Sequence, residues 1–533
     1  MAFACMDVKT FTLPVFVFGI MPALFASNRM PLLEMVTPEQ FSLLRDHFSR
    51  TGFTEAAIRE RLALKPGRDL DLVAVSQRPP VKLEPSDALN TLILLFILGD
   101  PLPAAEAVPF FPAAVWDVLS GTKLLLPDMS DASRTLSPVA LYPIRDLFIA
   151  SDRWAESDHS PRPAFSDIVY PALTKSAKQF IDYTSFEPCE DFLELCAGTA
   201  PAALLAARTA ENVWATDIAQ RSVDFAKFNA ALNGIHNVQI ALGDLYEPVG
   251  NRTFDRITAH PPYVPVLKPA EIFYGGGETG EEITKRVISG LPATLKPGGT
   301  FNCRTLGTER PGHTFEQCVR QWLGDKHSEF DIGLFTFQVL EPRQFALEET
   351  LNRSGGREQF AQWERMFQRN DIRELVMGIL LIQRNAAARP AFTIRRTIRS
   401  GTSLAVVEWA MRWEAQLQDE GAMQRIFEAK PIATPGTEIT VCHVFRDGEI
   451  SPESFTLSIE YPFAMDCKVQ PWMAMLLPKC DGKTTVGDLF EIAKQNGFIV
   501  PETPPDEFCR LFGTFISGGF LQTETFKLPA AAK

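Results

Sequence analysis

Apolar positions along the chain change their period twice, which divides it into three stretches of different character. From Thr37 onward they recur at helical spacing. Thr37-Pro38-Glu39-Gln40 reads as a capping box with proline at the first helical position. Phe41, Leu44 and Phe48 follow on one face, and Gly52 closes the helix. Thr54 caps a second helix carrying Ile58 and Leu62, and a third spans residues 86–98 before Gly99-Asp100-Pro101. Residues 124–126 and 139–141 read as short strands. Small helices followed by a strand pair predict a winged-helix-like module or an unspecialised helical cap, set against the next domain and shaping its cleft.

From about residue 167 to 385 the pattern becomes strand–helix–strand, the sign of a parallel sheet with crossover helices. Strands are predicted at 192–195, 213–216, 238–242, 254–259, 300–304, 330–339 and 375–384, which makes seven in a Rossmann-like α/β sheet. Helices are predicted at 202–207, 219–232 and 280–295, and the polar stretch between the last two strands is helical as well. Past Thr437 come strand-like residues 439–445 and 455–459, helices 486–495 and 505–516, and a closing strand 520–523, a second winged-helix-like module. The implied organisation is an apolar N-terminal segment (1–35), an N-terminal helical, winged-helix-like accessory domain (36–150), a catalytic domain (151–400) and a C-terminal winged-helix-like accessory domain (401–533).

Composition trims the possibilities. With 533 residues, 46% apolar and 22% charged, the chain reads as several globular domains. A net charge of −13 argues against a protein coated in nucleic acid. The densest basic run, 389–399, reads as a solvated strand edge. Nine cysteines without a Cys-x-x-Cys pair, and seven histidines without ligand spacing, point away from zinc and disulfides and toward a cytoplasmic protein. Residues 11–26 are apolar, but Pro14 and Pro22 interrupt them and they fall short of the roughly 20 residues a bilayer needs. No membrane partner is expected. Translation starting at Met30 or Met35 would account for the segment.

Two short patterns carry chemistry. After the first strand of the sheet comes Glu194-Leu195-Cys196-Ala197-Gly198-Thr199-Ala200. Small Ala197, Gly198 and Ala200 let backbone pass close to a bound molecule, and the following helix N-terminus offers free N–H groups. Asp217, with Ile218 beside it, ends the next strand at the spacing of about twenty residues expected of a ribose-binding carboxylate. Asp244, followed by Leu245, ends the third and would face an adenine amino group. The third glycine of a dinucleotide fingerprint is missing, so a pyrophosphate fits poorly. A phosphate-free sulfonium cofactor tolerates the change, with Glu194 holding its amino-acid end. The second pattern is His260-Pro261-Pro262-Tyr263 after the fourth strand. Two prolines fix the loop and leave a backbone carbonyl to accept from an N–H. His260 can accept a second bond, and Tyr263 can stack on a planar substrate. The alternative for the loop is a rigid turn without chemistry.

With these residues, positions 167–310 resemble class I S-adenosylmethionine-dependent methyltransferases of the Asn/Asp-Pro-Pro-Tyr/Phe group. Relatives of that kind are the HemK-type glutamine methyltransferases of release factors and the RsmC-type guanine methyltransferases of ribosomal RNA. Residues 194–200 resemble the first motif and 260–263 the catalytic loop. Gly275-Gly276-Gly277-Glu278-Thr279-Gly280 resembles the glycine-rich stretch after it, and 296–299 the Pro-Gly-Gly turn. The resemblance implies S-adenosyl-L-methionine as cofactor and N-methylation of a macromolecular amine or amide, in protein or RNA. Ala200 and His260 depart from the pattern. An imidazole cannot both donate and accept as an amide does, which leaves room for an acceptor other than a glutamine amide. Two further readings stand beside this one. One is a cofactor-sensing regulator whose winged modules bind nucleic acid. The other is a nicotinamide-dependent oxidoreductase.

Overall fold

The computed structural model describes residues 33–65, 70–161, 165–268, 272–352, 355–399 and 401–530. The apolar segment 11–26 lies outside the described residues.

The capping box at Thr37 forms as read, with Gln40 N–H on the Thr37 hydroxyl and the Gln40 side chain on the Thr37 N–H, and opens α1 (Pro38–Arg50). Next are α2 (Glu55–Arg61), α3 (Leu72–Gln77) and α4 (Ala88–Leu92), the last continuing as a π-helical stretch (Ile93–Leu98) that stops at left-handed Gly99. Short strands β1 (Leu102–Pro103), β2 (Leu126–Pro127) and β3 (Arg134–Leu136) make a small antiparallel sheet around α5 (Ala104–Ala107) and α6 (Ala113–Gly121). A hairpin of β4 (Val139–Ile144) and β5 (Leu147–Asp152), buried along both strands, leads into the central domain.

The central domain runs α7 (Lys175–Asp182), β6 (Cys189–Leu195), α8 (Pro201–Ala206), β7 (Ala210–Asp217), α9 (Gln220–Leu232), β8 (Val238–Leu242), β9 (Phe254–Ala259), α10 (Glu282–Thr294), β10 (Leu295–Glu309), α11 (Phe315–Trp322), β11 (Phe330–Leu340), α12 (Pro342–Asn352), α13 (Arg357–Arg369), β12 (Glu374–Arg384) and β13 (Thr393–Thr397). The expected seven strands are all present, but the sheet has eight, in the order β13-β11-β12-β10-β9-β6-β7-β8, and it is mixed and not all parallel, because β12 runs antiparallel to both β10 and β11. The extra strand is β13, which pairs in parallel with β11 at the sheet edge. It comes from the basic run read above as a solvated strand edge, and it does lie at the edge of the sheet, but with its charges engaged. Those charges are ion-paired: Arg389 to Asp331, Arg395 to Glu309 and Glu316, Arg396 to Glu414, Arg399 to Glu460. Strand order reverses at β6, with β7 on one side and β9 on the other, so a crevice opens beyond their carboxyl ends.

The last stretch holds α14 (Leu404–Leu417), α15 (Ala422–Glu428), β14 (Pro431–Ala433), a three-stranded antiparallel sheet of β15 (Glu438–Arg446), β16 (Glu449–Ile459) and β17 (Met465–Val469), then α16 (Pro471–Leu476), α17 (Val486–Gln495), α18 (Pro505–Ser517) and β18 (Leu521–Thr523) paired with β14.

Both flanking modules share hydrophobic cores with the central domain. One core runs from Phe41 and Phe48 through the β4–β5 hairpin to Phe225, Phe228 and Leu232 of α9. Phe41 meets Phe228 edge to face at 5.4 Å. Asn229, fully buried on α9, takes the N–H of Ala150 at 2.8 Å and donates to the Ala150 carbonyl at 3.0 Å. Helix α9 is therefore buried around most of its circumference, as a helix between two layers must be, with Arg221, Ser222 and Asn229 among its buried residues. A second core joins Phe335 and Ile379 of the sheet to α14, α17 and α18.

Among the described residues, no helix is long and apolar enough to cross a membrane.

Candidate active site

A cavity of about 340 Å³ lies beyond the carboxyl ends of β6, β7, β8 and β9. Its floor is the turn after β6. Cys196, Gly198 and Ala200 sit at positive φ (54, 54 and 58), alternating with ordinary residues, and this coils the chain tightly. For the two non-glycine residues this conformation costs roughly 1–2 kcal/mol each. Local bonds offset it: Ala197 N–H to the Thr216 carbonyl at 3.1 Å and Ala200 N–H to the Ala197 carbonyl at 2.7 Å. At Gly198 a Cβ would meet nothing within 4 Å, so its missing side chain leaves backbone open to the cavity.

Three acidic residues come from successive strand ends. Glu194 is fully buried, and its Oε2 accepts from the Ala203 N–H at 2.6 Å at the start of α8. Burial pushes its carboxyl up to about 8, against the opposing pull of the Ala203 and Ala202 N–H groups. Asp217 takes the Gly198 N–H at 2.8 Å on one oxygen and the Ala219 N–H at 2.9 Å on the other. Burial raises its carboxyl too, opposed by those same bonds. Asp244 is held by Arg286 of α10 at 2.6 Å. Ile218 and Leu245 join the lining. Ala200 does not: it is fully buried behind the turn, where it caps α8 in left-handed conformation. Its role is to shape the turn.

The His260–Tyr263 loop forms the opposite wall. His260 stacks on Phe180 of α7 (centroids 5.1 Å, 26°) and on Tyr263 (5.8 Å, 23°). The Arg304 guanidinium of β10 lies over the Tyr263 ring at 5.0 Å. Burial, then the Arg304 charge, hold the imidazole down at about 3, so it is neutral at any ordinary pH with one ring nitrogen free to accept. Burial also brings Arg304 down to about 10, and it remains a cation. The Tyr263 ring, read from the sequence as a platform for a planar substrate, is engaged by His260 and Arg304. The glycine-rich stretch backs the loop. Gly276 N–H donates to the Val264 carbonyl at 2.9 Å, and a Cβ on Gly280 would lie 2.4 Å from the Tyr263 carbonyl. Only glycine fits there.

The remaining wall is aromatic. Tyr170 and Phe273 stack at 5.0 Å, and Trp154 meets both edge-on. Phe180, Arg304, Arg286, Tyr170 and Phe273 escaped the sequence reading. For Phe180 a signal existed: Thr174 caps a helix whose Ala177, Phe180 and Ile181 share a face. For the others, which reach the site across long separations, no local pattern exists.

Comparison with known proteins adds the following. A family model described as tRNA (Uracil-5-)-methyltransferase matches residues 178–250. The ribosomal protein uL3 glutamine methyltransferase of Bradyrhizobium diazoefficiens is 30% identical over 157 residues, covering 27% of this chain and 49% of that protein. The release factor glutamine methyltransferase of Xylella fastidiosa is 30% identical over 138 residues, covering 24% and 50%. The central domain is distantly related to the HemK-type, class I methyltransferases. The chain spans about half the length of the curated relatives it matches. A solved ribosomal protein L11 methylase from Lactobacillus delbrueckii subsp. bulgaricus aligns at 20% identity over 39% of this chain and 77% of that one, with a TM-score of 0.23. The matched family model takes in Glu194, Gly198, Asp217 and Asp244 and stops short of the His260 loop.

Proposed function

We propose that this chain is an S-adenosyl-L-methionine-dependent N-methyltransferase whose acceptor is a side-chain nitrogen of a protein. The observation that carries the reading is the single cavity that joins three strand-end carboxylates to the His-Pro-Pro-Tyr loop. The residues suit the cofactor: Gly198 leaves backbone exposed to the cavity, and the acidic groups match an ammonium, a ribose and an amino-purine. Glu194 would hold the amino-acid end, Asp217 the ribose hydroxyls, and Asp244 with Leu245 the adenine. When bound, the cofactor supplies an electrophilic methyl group on sulfur.

The chain's own work is orientation. Transfer to nitrogen requires a lone pair aimed along one line, so the acceptor must be held by its N–H groups. Neutral His260 accepts one such bond, and a carbonyl of the fixed Pro261-Pro262 pair accepts another. Drawing on both N–H bonds enriches the nitrogen without removing a proton beforehand, and the proton the methylated nitrogen then carries in excess is lost to solvent as the product leaves. Aromatic residues around the loop keep water from the reacting nitrogen.

A protein acceptor is favoured over an RNA base by two points. The relatives named above are glutamine methyltransferases of proteins. The arginines of the basic run that would otherwise meet phosphates are paired with carboxylates. Tritiated-methyl cofactor, incubated with the enzyme and extract from a strain lacking this gene, tests the reading. Label in the protein fraction supports it, and label in RNA moves the acceptor. Cofactor binding without label in any fraction would replace the enzyme with a cofactor-sensing regulator.

A further inference from the structure

Strand β15 is an edge of its three-stranded sheet among the described residues and is exposed over nearly its whole length. Ile439 (46% exposed), Val441 (37%) and Phe445 (72%) stand on one face, and Ile450 (74%) lies across from Phe445 on β16. A long apolar edge of this kind is a template for another strand. Its sequence says which strand. Glu438-Ile439-Thr440-Val441-Cys442-His443-Val444-Phe445-Arg446 is complementary to itself read backwards about Cys442: acid opposite base at the ends, Ile439 opposite Phe445 inside.

The backbone agrees with that register. Asp447 and Gly448, at φ 52 and 87, form a two-residue connection between β15 and β16, so Arg446 and Glu449 are its closing hydrogen-bonded pair. Alternation then turns the backbone groups of Val444 and Cys442 toward β16, and those of Ile439, Val441, His443 and Phe445 outward. Pro452, which has no N–H to give, lies opposite His443, as this alternation requires. Pairing two such edges antiparallel about Cys442 sets outward residues against outward residues: Val441 opposite His443 and Ile439 opposite Phe445. Neighbouring registers of the same parity, centred on Val441 or His443, lose the Glu438–Arg446 match. A shift to the other parity sets outward groups against inward ones and loses the ladder.

We propose that β15 is a homodimer edge, joining two copies of this chain antiparallel across a two-fold axis at Cys442. Glu438 faces the partner's Arg446, and Ile439 packs on the partner's Phe445. The apolar strip continues onto Ile450 of each copy. Arg446, which pairs with Glu453 within its own hairpin, gains a second carboxylate across the axis. Cys442 is an exposed free thiol. In a non-hydrogen-bonded pair the two Cα atoms stand about 4.5 Å apart, within the range a disulfide spans.

Light scattering after size exclusion of the full chain tests the proposal, together with diamide, an oxidant that takes the hydrogens of two thiols and leaves a disulfide. The wild type should show twice the chain mass and a diamide crosslink that Cys442→Ser removes while leaving the mass doubled. Glu438→Arg and Arg446→Glu should each halve the mass, since like charges then face each other across the axis, and Phe445→Lys should do the same by setting a charge against the partner's Ile439. These positions are exposed, so the fold survives the changes. The reciprocal variant Glu438→Arg with Arg446→Glu should restore the doubled mass. A wild type of single-chain mass, a Phe445→Lys variant that stays doubled, or a reciprocal variant that stays single would each overturn it.

Discussion

Glu194→Gln isolates the physical state of the site's most buried acid. In the folded chain burial carries this carboxyl from its ordinary 4.5 up to about 8. A raised acid favours the fold only while protonated. Its contribution is therefore complete below pH 4.5, declines by about 1.4 kcal/mol per pH unit, and is gone once pH passes the folded value near 8. The whole span is worth on the order of 5 kcal/mol. Glutamine keeps the size and the acceptor for the Ala203 N–H and cannot titrate. Urea unfolding of both proteins from pH 5 to pH 8 is the assay. The variant's stability should gain about 3 kcal/mol on the wild type between pH 5 and pH 7. The same proton couples to the proposed cofactor. An ammonium bound against Glu194 requires the carboxylate, so binding near pH 7 should release close to one proton from the wild type and none from Glu194→Gln. Calorimetry in two buffers of different ionisation enthalpy reads that number. Parallel stability curves, or binding heats independent of buffer, would show that Glu194 is already ionised and refute the reasoning.

Other substitutions separate binding from transfer and structure from both. Asp217→Ala, which removes the acceptor for Gly198 and Ala219 N–H groups, should weaken cofactor binding about ten- to a hundredfold by equilibrium dialysis. Tyr263→Ala should leave that affinity nearly intact and reduce single-turnover transfer by about a hundredfold, and equal loss of affinity in the two variants would end the division of roles. Arg304→Met removes a buried cation with an unpaired nitrogen, so chemical denaturation should show stability within about 1 kcal/mol of wild type. The transfer rate should fall because the Tyr263 ring loses its support; an unchanged rate would remove Arg304 from the site. Asn229→Ala should cost about 2–4 kcal/mol in urea unfolding, since it strands both polar groups of Ala150 in a dry core.

The central strands were legible because their signals are local. Val238–Leu242 and Phe254–Ala259 are short apolar runs bounded by Asn233-Gly234, Asp244 and the Pro-Pro pair, and each falls where the pattern placed it. The same holds for Thr37 and Thr54 as helix caps. Strand β13 could be read only as a charged strand edge, because Arg395 and Arg396 break its alternation and the partners of Arg395, Glu309 and Glu316, lie far away in sequence. Helices α14 and α15 went unread although Gly401-Thr402-Ser403 opens the first and Gly421 the second. In the site, the strand-end carboxylates could be found from order and spacing. The stack of Phe180, His260, Tyr263 and Arg304 could not, because its members come from three elements that only the sheet order brings together.

That same distance in sequence explains why the N-terminal module belongs to the site. Segment 168–172 walls the cavity, and the hairpin holds both of its ends. Its Val169 N–H is taken by Asp152 at 2.8 Å, and its Ala172 N–H by the Tyr142 hydroxyl at 2.8 Å. Asp152 in turn forms a buried pair with Arg221 at the start of α9, just past the Asp217 strand end. One carboxylate thereby ties the hairpin, the cavity wall and helix α9 together. A buried pair of this kind adds little net stability, because desolvation consumes most of the attraction, but losing one partner strands a charge. The wall is thus tied to the hairpin at both ends, and in the proposed reaction the N-terminal module would act by holding the cavity's shape.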